Sequence, residues 1–275
     1  MAIQNGFDRE NYPELKQYWK KFDSTVIPFI QIKTEINDTM NFWQSKFGGS
    51  PYWPKNIEYP IDSAGKPLYL IAQLNFEEIP QLEGFPQNGI LEWFVSPESF
   101  LYGLDDYKFD AMITQKNWRV VYFAEIEKNI DNLISDFSFL PNPKDYETWP
   151  PVLKPCSLKF KKEYAPVAVS DYQFTELFGD PFDFFEQLGE VGSEVMDAYS
   201  IDYSGRGHKI GGYADFAQVD PREPSWGYNT LLLQLDSEPS KDIDFGSAGV
   251  GHLFIKDEDL KKLEFSKIMY HWDCG

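Results

Sequence analysis

The sequence predicts an α+β protein, β-rich, with mainly antiparallel sheets from an internal duplication and a few peripheral helices. Three observations predict it. Aromatic residues make up 17% of the chain, and such side chains favour pleated, half-buried surfaces. The apolar runs are strand-sized and follow one another without a helix-length segment between each pair, which suits antiparallel neighbours. Short blocks also recur in the same order at nearly constant spacing.

Asn11 to Lys21 reads as an amphipathic helix. Asn11 is placed to cap it, Pro13 lies in the first turn, and Leu15, Tyr18, Trp19 and Phe22 share one face. A strand over 29–33 follows Pro28. Paired glycines and prolines make 45–54 (SKFGGSPYWP) a turn. Strands are expected over 68–76, 89–96 and 118–125, with 97–116 as a polar surface loop between the last two. The proline-rich stretch 142–155 reads as the connector. Beyond it come a strand near 157–164, one or two helices between Asp171 and Tyr199, and strands over 208–218, 229–236, 249–255 and 267–273. Asp257 is placed to cap a helix over 258–263, and in 183–196 a helical stripe is weakened by Gly189 and Gly192.

The recurring blocks are Lys46-Phe-Gly48-Gly49 with Lys209-Ile-Gly211-Gly212, Ala72-Gln73-Leu74 with Leu233-Gln234-Leu235, and 89–95 with 249–255, at offsets of 163, 161 and 160. A weaker match sets Val120-Val-Tyr122 against Ile268-Met-Tyr270, at an offset of 148. One domain over 1–275 is therefore expected, with pseudo-repeats near 26–125 and 156–275, each covering the other's apolar face.

The formal net charge of −19 repels nucleic-acid phosphates and anionic lipid, and suits a basic protein partner or simple solubility. No apolar stretch approaches the ~18 residues a membrane helix needs. No basic-then-apolar leader opens the chain, and two distant cysteines, Cys156 and Cys274, make no disulfide framework. A cytoplasmic protein is the expectation.

The blocks SKFGGSPYWP and LYLIAQLNF (45–76), KIGGYADFAQVDPR (209–222), LLLQLDSEP (231–239), AGVGHLFI (248–255) and YHWDC (270–274) together resemble the YwqG-like family, bacterial proteins grouped as a domain of unknown function. One local departure is Asp244-Phe245-Gly246-Ser247, where the family carries Trp-Gly-Asp before AGV. The resemblance implies a mixed α+β fold of bacterial origin and brings no catalytic residues or cofactor.

Candidate polar residues remain. Gln73 and Gln234 sit inside apolar strands, where an amide must find partners, either a backbone turn or a ligand. Gln218, Asp220 and Arg222 alternate in QVDPR and share a face if extended; Arg222 suits an anion or a neighbouring acid. Lys46, Gly48, Gly49 and Lys209, Gly211, Gly212 form either anion-binding backbone turns or tight turns feeding strands. Of the three histidines, His208, His252 and His271, none lies in a zinc-ligand spacing. His271, Asp273 and Cys274 bring a base, an acid and a thiol into one segment, but on a strand His271 and Cys274 face opposite ways. No catalytic residue, metal or cofactor is expected. The reading is a non-catalytic binding protein with an acidic surface. The alternative is a small-molecule-binding protein or hydrolase with a cleft between the halves.

Overall fold

Ten short β-branched and aromatic segments, each stopped by glycine, proline or a polar turn, pair into one antiparallel sheet in the computed structural model, which describes residues 12–140, 142 and 148–275. The strands are β1 (Ile27–Ile36), β2 (Lys46–Phe47), β3 (Tyr69–Asn75), β4 (Ile90–Val95), β5 (Trp118–Phe123), β6 (Cys156–Ala165), β7 (Lys209–Gly211), β8 (Thr230–Asp236), β9 (Val250–Ile255) and β10 (Ile268–Asp273). Their order across the sheet is β10-β9-β8-β7-β1-β6-β2-β3-β4-β5. At its centre β1 and β6 pair along their full length, from Ile27 opposite Ala165 to Ile36 opposite Cys156. From there β2–β5 fan out on one side and β7–β10 on the other.

The two fans share one register. Lys46 lies opposite Gln73 and Lys209 opposite Gln234. Gln73 lies opposite Glu92, and Gln234 opposite His252. Each inner strand slips register once, between Leu70 and Ala72 and between Leu231 and Leu233. At the outer pair the register corrects the weakest sequence match. Val95 faces Trp118 and Ile255 faces Ile268, so Trp118 corresponds to Ile268, at an offset of 150 instead of 148.

The fans pack on each other. Trp93 of β4 and Trp118 of β5 make edge contacts with Tyr270 of β10, at ring separations of 5.1 and 5.3 Å, inside a core that also holds Phe47, Ile71, Leu232 and Phe245. The outer face of the first fan is covered by Tyr52, Trp53 and Leu133, and that of the second by Met112, Ala214, Phe216 and Tyr228. Met112 belongs to α2 (Phe109–Ile113), a short helix inside the expected 97–116 loop.

Helices gather around a fourth cluster. After a 3₁₀ turn at Pro13–Leu15, α1 (Trp19–Ser24) sends Phe22 against Phe174, Phe184 and Tyr199. The expected helix from Asn11 to Lys21 thus begins later and runs further; Asn11 itself lies outside the described residues, as does part of 142–155. The helical region after Asp171 divides into α3 (Tyr172–Phe178), α4 (Pro181–Glu186) and α5 (Gly192–Asp202). Gly179 ends α3 at φ +88°, and Asp180 caps α4, whose first residue is Pro181. The stripe over 183–196 is broken at Gly189, and Gly192 packs where a Cβ would lie 2.2 Å from the Phe185 carbonyl oxygen. Only Lys209–Gly211 of 208–218 is strand. Asp257 sits inside the first turn of α6 (Asp257–Lys261), and its carboxylate accepts from Asn229 and Thr230 instead of capping the helix. Among the described residues, no helix is long and apolar enough to cross a membrane.

Candidate functional site

Each fan carries a buried polar row on its outer face, begun by a lysine and a glutamine. The Gln73 amide accepts from the Tyr52 N–H and donates to the carbonyls of Phe42 and Gln44. The Gln234 amide accepts from the Asp215 N–H and donates to the carbonyls of Gly205 and Gly207. Counted from Lys46 and Lys209, the partners occupy identical positions. Both amides therefore tie the loop around their own short strand, and they lie in separate fans. Lys46 donates to the carbonyls of Asn41 and Ser50, and Lys209 to that of Tyr213. Burial lowers both ammonium groups to about 8. The glycine pairs that follow have φ between +64° and +76°, and the Gly48 N–H donates to the Ile71 carbonyl.

Past the second glycine pair the chain does not extend. It loops over β9 and β10 and turns Arg222 inward. Asp220 takes Arg222 through both carboxylate oxygens, at 2.9 and 2.6 Å. Asp171, which caps α3 by accepting from the Gln173 N–H, receives the same guanidinium at 2.9 Å and the Ala214 N–H at 3.0 Å. The guanidinium lies 4.1 Å from the Phe254 ring centroid and 4.6 Å from that of Tyr172. All three charged side chains are at most 4% exposed. Burial alone would lower the Arg222 pKa, but the two carboxylates raise it; burial lifts the Asp220 carboxyl. Of the five polar residues expected together, Asp220 and Arg222 meet directly. Gln218 reaches the chain end, donating to the Cys274 carbonyl, and Gln234 joins the same region through Asp215; Gln73 is remote.

Above this cluster opens a cleft of about 590 Å³ between the 215–224 loop and α3–α5. Its residues all come from 169–224. Tyr172, Phe182 and Phe216 give it aromatic walls, while Glu176, Asp180 and Asp215 give it charge, with Arg206 at 3.5 Å from Asp215. Burial raises the Asp215 carboxyl to about 6, against the Ser170 hydroxyl and Arg206, which act to lower it. Three hollows do take residues from both halves. One, of about 450 Å³, lies between Tyr102 and Asp242; a second, of about 570 Å³, lies between Tyr122 and Phe265; and a third, of about 360 Å³, lies between Thr34 and His208. None of the three contains any of the five polar residues expected from the sequence.

Beneath the same loop, the outer two strands bring together His252, His271 and Asp273. His252 and His271 are cross-strand partners in β9 and β10, and Asp273 follows His271 by two on the same face. One potential ligand atom from each lies within 4.8 Å of the others. Phe216 covers them, its ring 4.6 Å from His252 and 6.0 Å from His271. Nε2 of His252 meets the Asp215 carbonyl at 2.7 Å, and Asp273 accepts from the Gln218 N–H. Nδ1 of both imidazoles and the second Asp273 oxygen are buried with no hydrogen-bond partner among the described residues. Burial holds His252 well below the usual imidazole range and His271 at about 4, helped respectively by the neighbouring His271 and by Arg222. Sequence spacing pointed to His271 and Asp273 but not to His252, whose place is set by hairpin register. Cys274 stands apart, packed toward Gly246, and Cys156 is a second free thiol. His208 is also elsewhere, 3.3 Å from Glu238.

A family model described as Domain of unknown function (DUF1963) matches residues 45–274. The matched span starts one residue before β2, so it holds both polar rows, the cleft and the histidine cluster, while β1 precedes it. Among curated proteins, none matches this chain.

Proposed function

The chain belongs to the DUF1963 family of domains of unknown function, and since that membership brings no activity with it, we propose that this is a non-catalytic binding protein whose acidic cleft receives a cationic side chain of a basic protein partner. The observation that carries this reading is the cleft wall. Asp171 and Asp220 share the single charge of Arg222, while Glu176, Asp180 and Asp215 face one exposed Arg206, with Lys209 buried behind Asp215. Phe182, 72% exposed, and Tyr172 supply aromatic faces on which a lysine or arginine stem can lie. The net charge of −19 adds long-range attraction for such a partner.

The finer family reading is the YwqG-like one, in a bacterial cytoplasm, with the two fans descended from one duplicated unit. The matching registers, bulges and glutamine ties of the fans support that descent.

Calorimetric titration of the full chain with a lysine-rich peptide, and with a glutamate-rich one as control, tests the binding reading. Saturable binding of the basic peptide is expected, weakening steeply as the Debye length falls from about 30 Å at 0.01 M salt to about 10 Å at 0.1 M. The double variant Glu176→Gln, Asp180→Asn keeps a capping side chain on α4 and should bind at least ~10-fold more weakly, a loss of about 1.4 kcal/mol. No saturable binding at low salt, or equal binding by the double variant, overturns the reading.

A further inference from the structure

The β9–β10 pair carries buried polar atoms that no other described group of the protein uses. His252 is fully buried, and its Nε2 points at a carbonyl, which can only accept; the ring proton therefore resides on Nε2. That leaves Nδ1 as a bare lone pair without a donor. One oxygen of Asp273, also buried, is likewise an acceptor without a donor, and Nδ1 of His271 has no partner either. Buried polar atoms left unsatisfied in this way cost about 1–3 kcal/mol each. Three on one small surface call for a common occupant that is itself electron-poor.

From this geometry we propose that His252, His271 and Asp273 form a binding site for a divalent first-row metal ion, zinc being the ion they suit best. Two imidazoles and a carboxylate make a three-ligand set with room for a further ligand. Donors on a tetrahedral zinc with bonds of about 2.0–2.1 Å lie roughly 3.3–3.5 Å apart. Small side-chain rotations bring a cluster confined within 4.8 Å to that spacing. Groups that would orient these side chains on an ion are already in contact with them. The Asp215 carbonyl orients His252 as metal-bound imidazoles are commonly oriented, and the Gln218 N–H holds the other oxygen of Asp273.

Charge balance permits a cation here. Arg222 and Lys209 both act on His252, but Asp171 and Asp220 pair with Arg222, and Asp215 attracts Lys209. Asp273 is additional to these. The first fan sharpens the point, because its corresponding positions are Glu92, Val121 and Phe123, two of which cannot ligate. The donor set therefore belongs to the second fan alone. This site lies on the other side of the loop bearing Phe216 from the acidic cleft, and it shares Asp215 and Gln218 of that loop with the cleft.

The test is equilibrium dialysis of the full chain, stripped with chelator, against zinc and then cobalt, with metal counted per chain. One ion per chain is expected, along with a rise in melting temperature as zinc is added. His271→Gln and Asp273→Asn should each weaken binding at least ~100-fold, about 2.7 kcal/mol. Glu92→Gln, in the first fan, should leave it unchanged. Zinc-edge X-ray absorption on the wild-type chain gives a readout that needs no variant: two imidazoles and oxygen in the first shell are expected. Failure to retain stoichiometric zinc, a sulfur-containing shell from Cys156 or Cys274, or full binding by both ligand variants overturns the proposal.

Discussion

Among the described residues, Glu92 leaves more buried side-chain atoms without a hydrogen-bond partner than any other. It is fully inaccessible, and neither carboxylate oxygen has a hydrogen-bond partner. The nearby Tyr52 N–H already donates to Gln73. Burial therefore raises its carboxyl well above the ordinary value, although Lys46 acts to lower it. An acid raised on folding binds its proton more tightly in the folded state. Its contribution to stability is complete below the unfolded pKa, near 4.3, and is lost as pH rises toward the folded value. Glu92→Gln keeps the shape and removes the titration. Urea unfolding should show equal stability of the two chains near about pH 4. Near about pH 8 the variant should be more stable, by about 1.4 kcal/mol for each unit by which the carboxyl is raised. A gap that does not change with pH would mean that Glu92 is ionised beneath its loop. Gln73, its neighbour in the row, shows the opposite solution, an amide with all its partners in place. That difference was visible in the sequence for Gln73, because an amide inside LIAQL had to find a backbone partner. It was not visible for Glu92, whose environment depends on a loop forty residues earlier in the chain.

At the scale of elements, the short strands β2 and β7 exist because the glycine turns after them hold the chain against β6 and β1. Gly212 has φ +72°, and a Cβ there would lie 2.8 Å from Cβ of Phe29 in β1. Gly65 has φ +80° but nothing within 4 Å. Both positions charge an alanine for left-handed backbone, about 1–2 kcal/mol. Only Gly212→Ala must also push a strand aside, which adds about 1–3 kcal/mol. Urea midpoints should therefore fall roughly twice as far for Gly212→Ala as for Gly65→Ala; equal losses would show that β1 yields freely. The longer strands were legible to within a residue or two, because apolar runs there end at turn residues. β1 was read at half its length, since its polar second half is held in the sheet by ten-residue pairing with β6 and not by burial. The helices after Asp171 were blurred because aromatic spacing continues through Gly189 while the backbone does not. The histidine pair was out of reach for a related reason: cross-strand register is a long-range property, and only His271 and Asp273 are close in sequence.

At the scale of the whole molecule, the order of strands sets how the protein can come apart. β2 pairs with β3 of its own fan, but its other neighbour is β6, which follows the connector. β7 likewise pairs with β8 and with β1, from the beginning of the chain. Each fan is thus completed by a strand from the opposite half of the sequence, and Trp93, Trp118 and Tyr270 bury one another across the fold. A fragment ending near Leu140 keeps β1 but has neither strand that flanks it, and exposes the edge of β2. A fragment beginning near Thr148 keeps β6 without β1 or β2. Exposed edges and an uncovered aromatic face favour aggregation over folding. Neither fragment should show a cooperative unfolding transition by itself, whereas co-expression of the two should restore a soluble complex that melts in one step. The intact chain should also unfold in one step, since no boundary in the sheet separates the two halves of the sequence, β1–β5 and β6–β10, without breaking the β1–β6 pair. Independent folding of either fragment, seen as a sharp thermal transition in its circular dichroism, would show that each fan can close on itself. The crossed pairing would then be a docking of two finished units instead of the means by which each is completed.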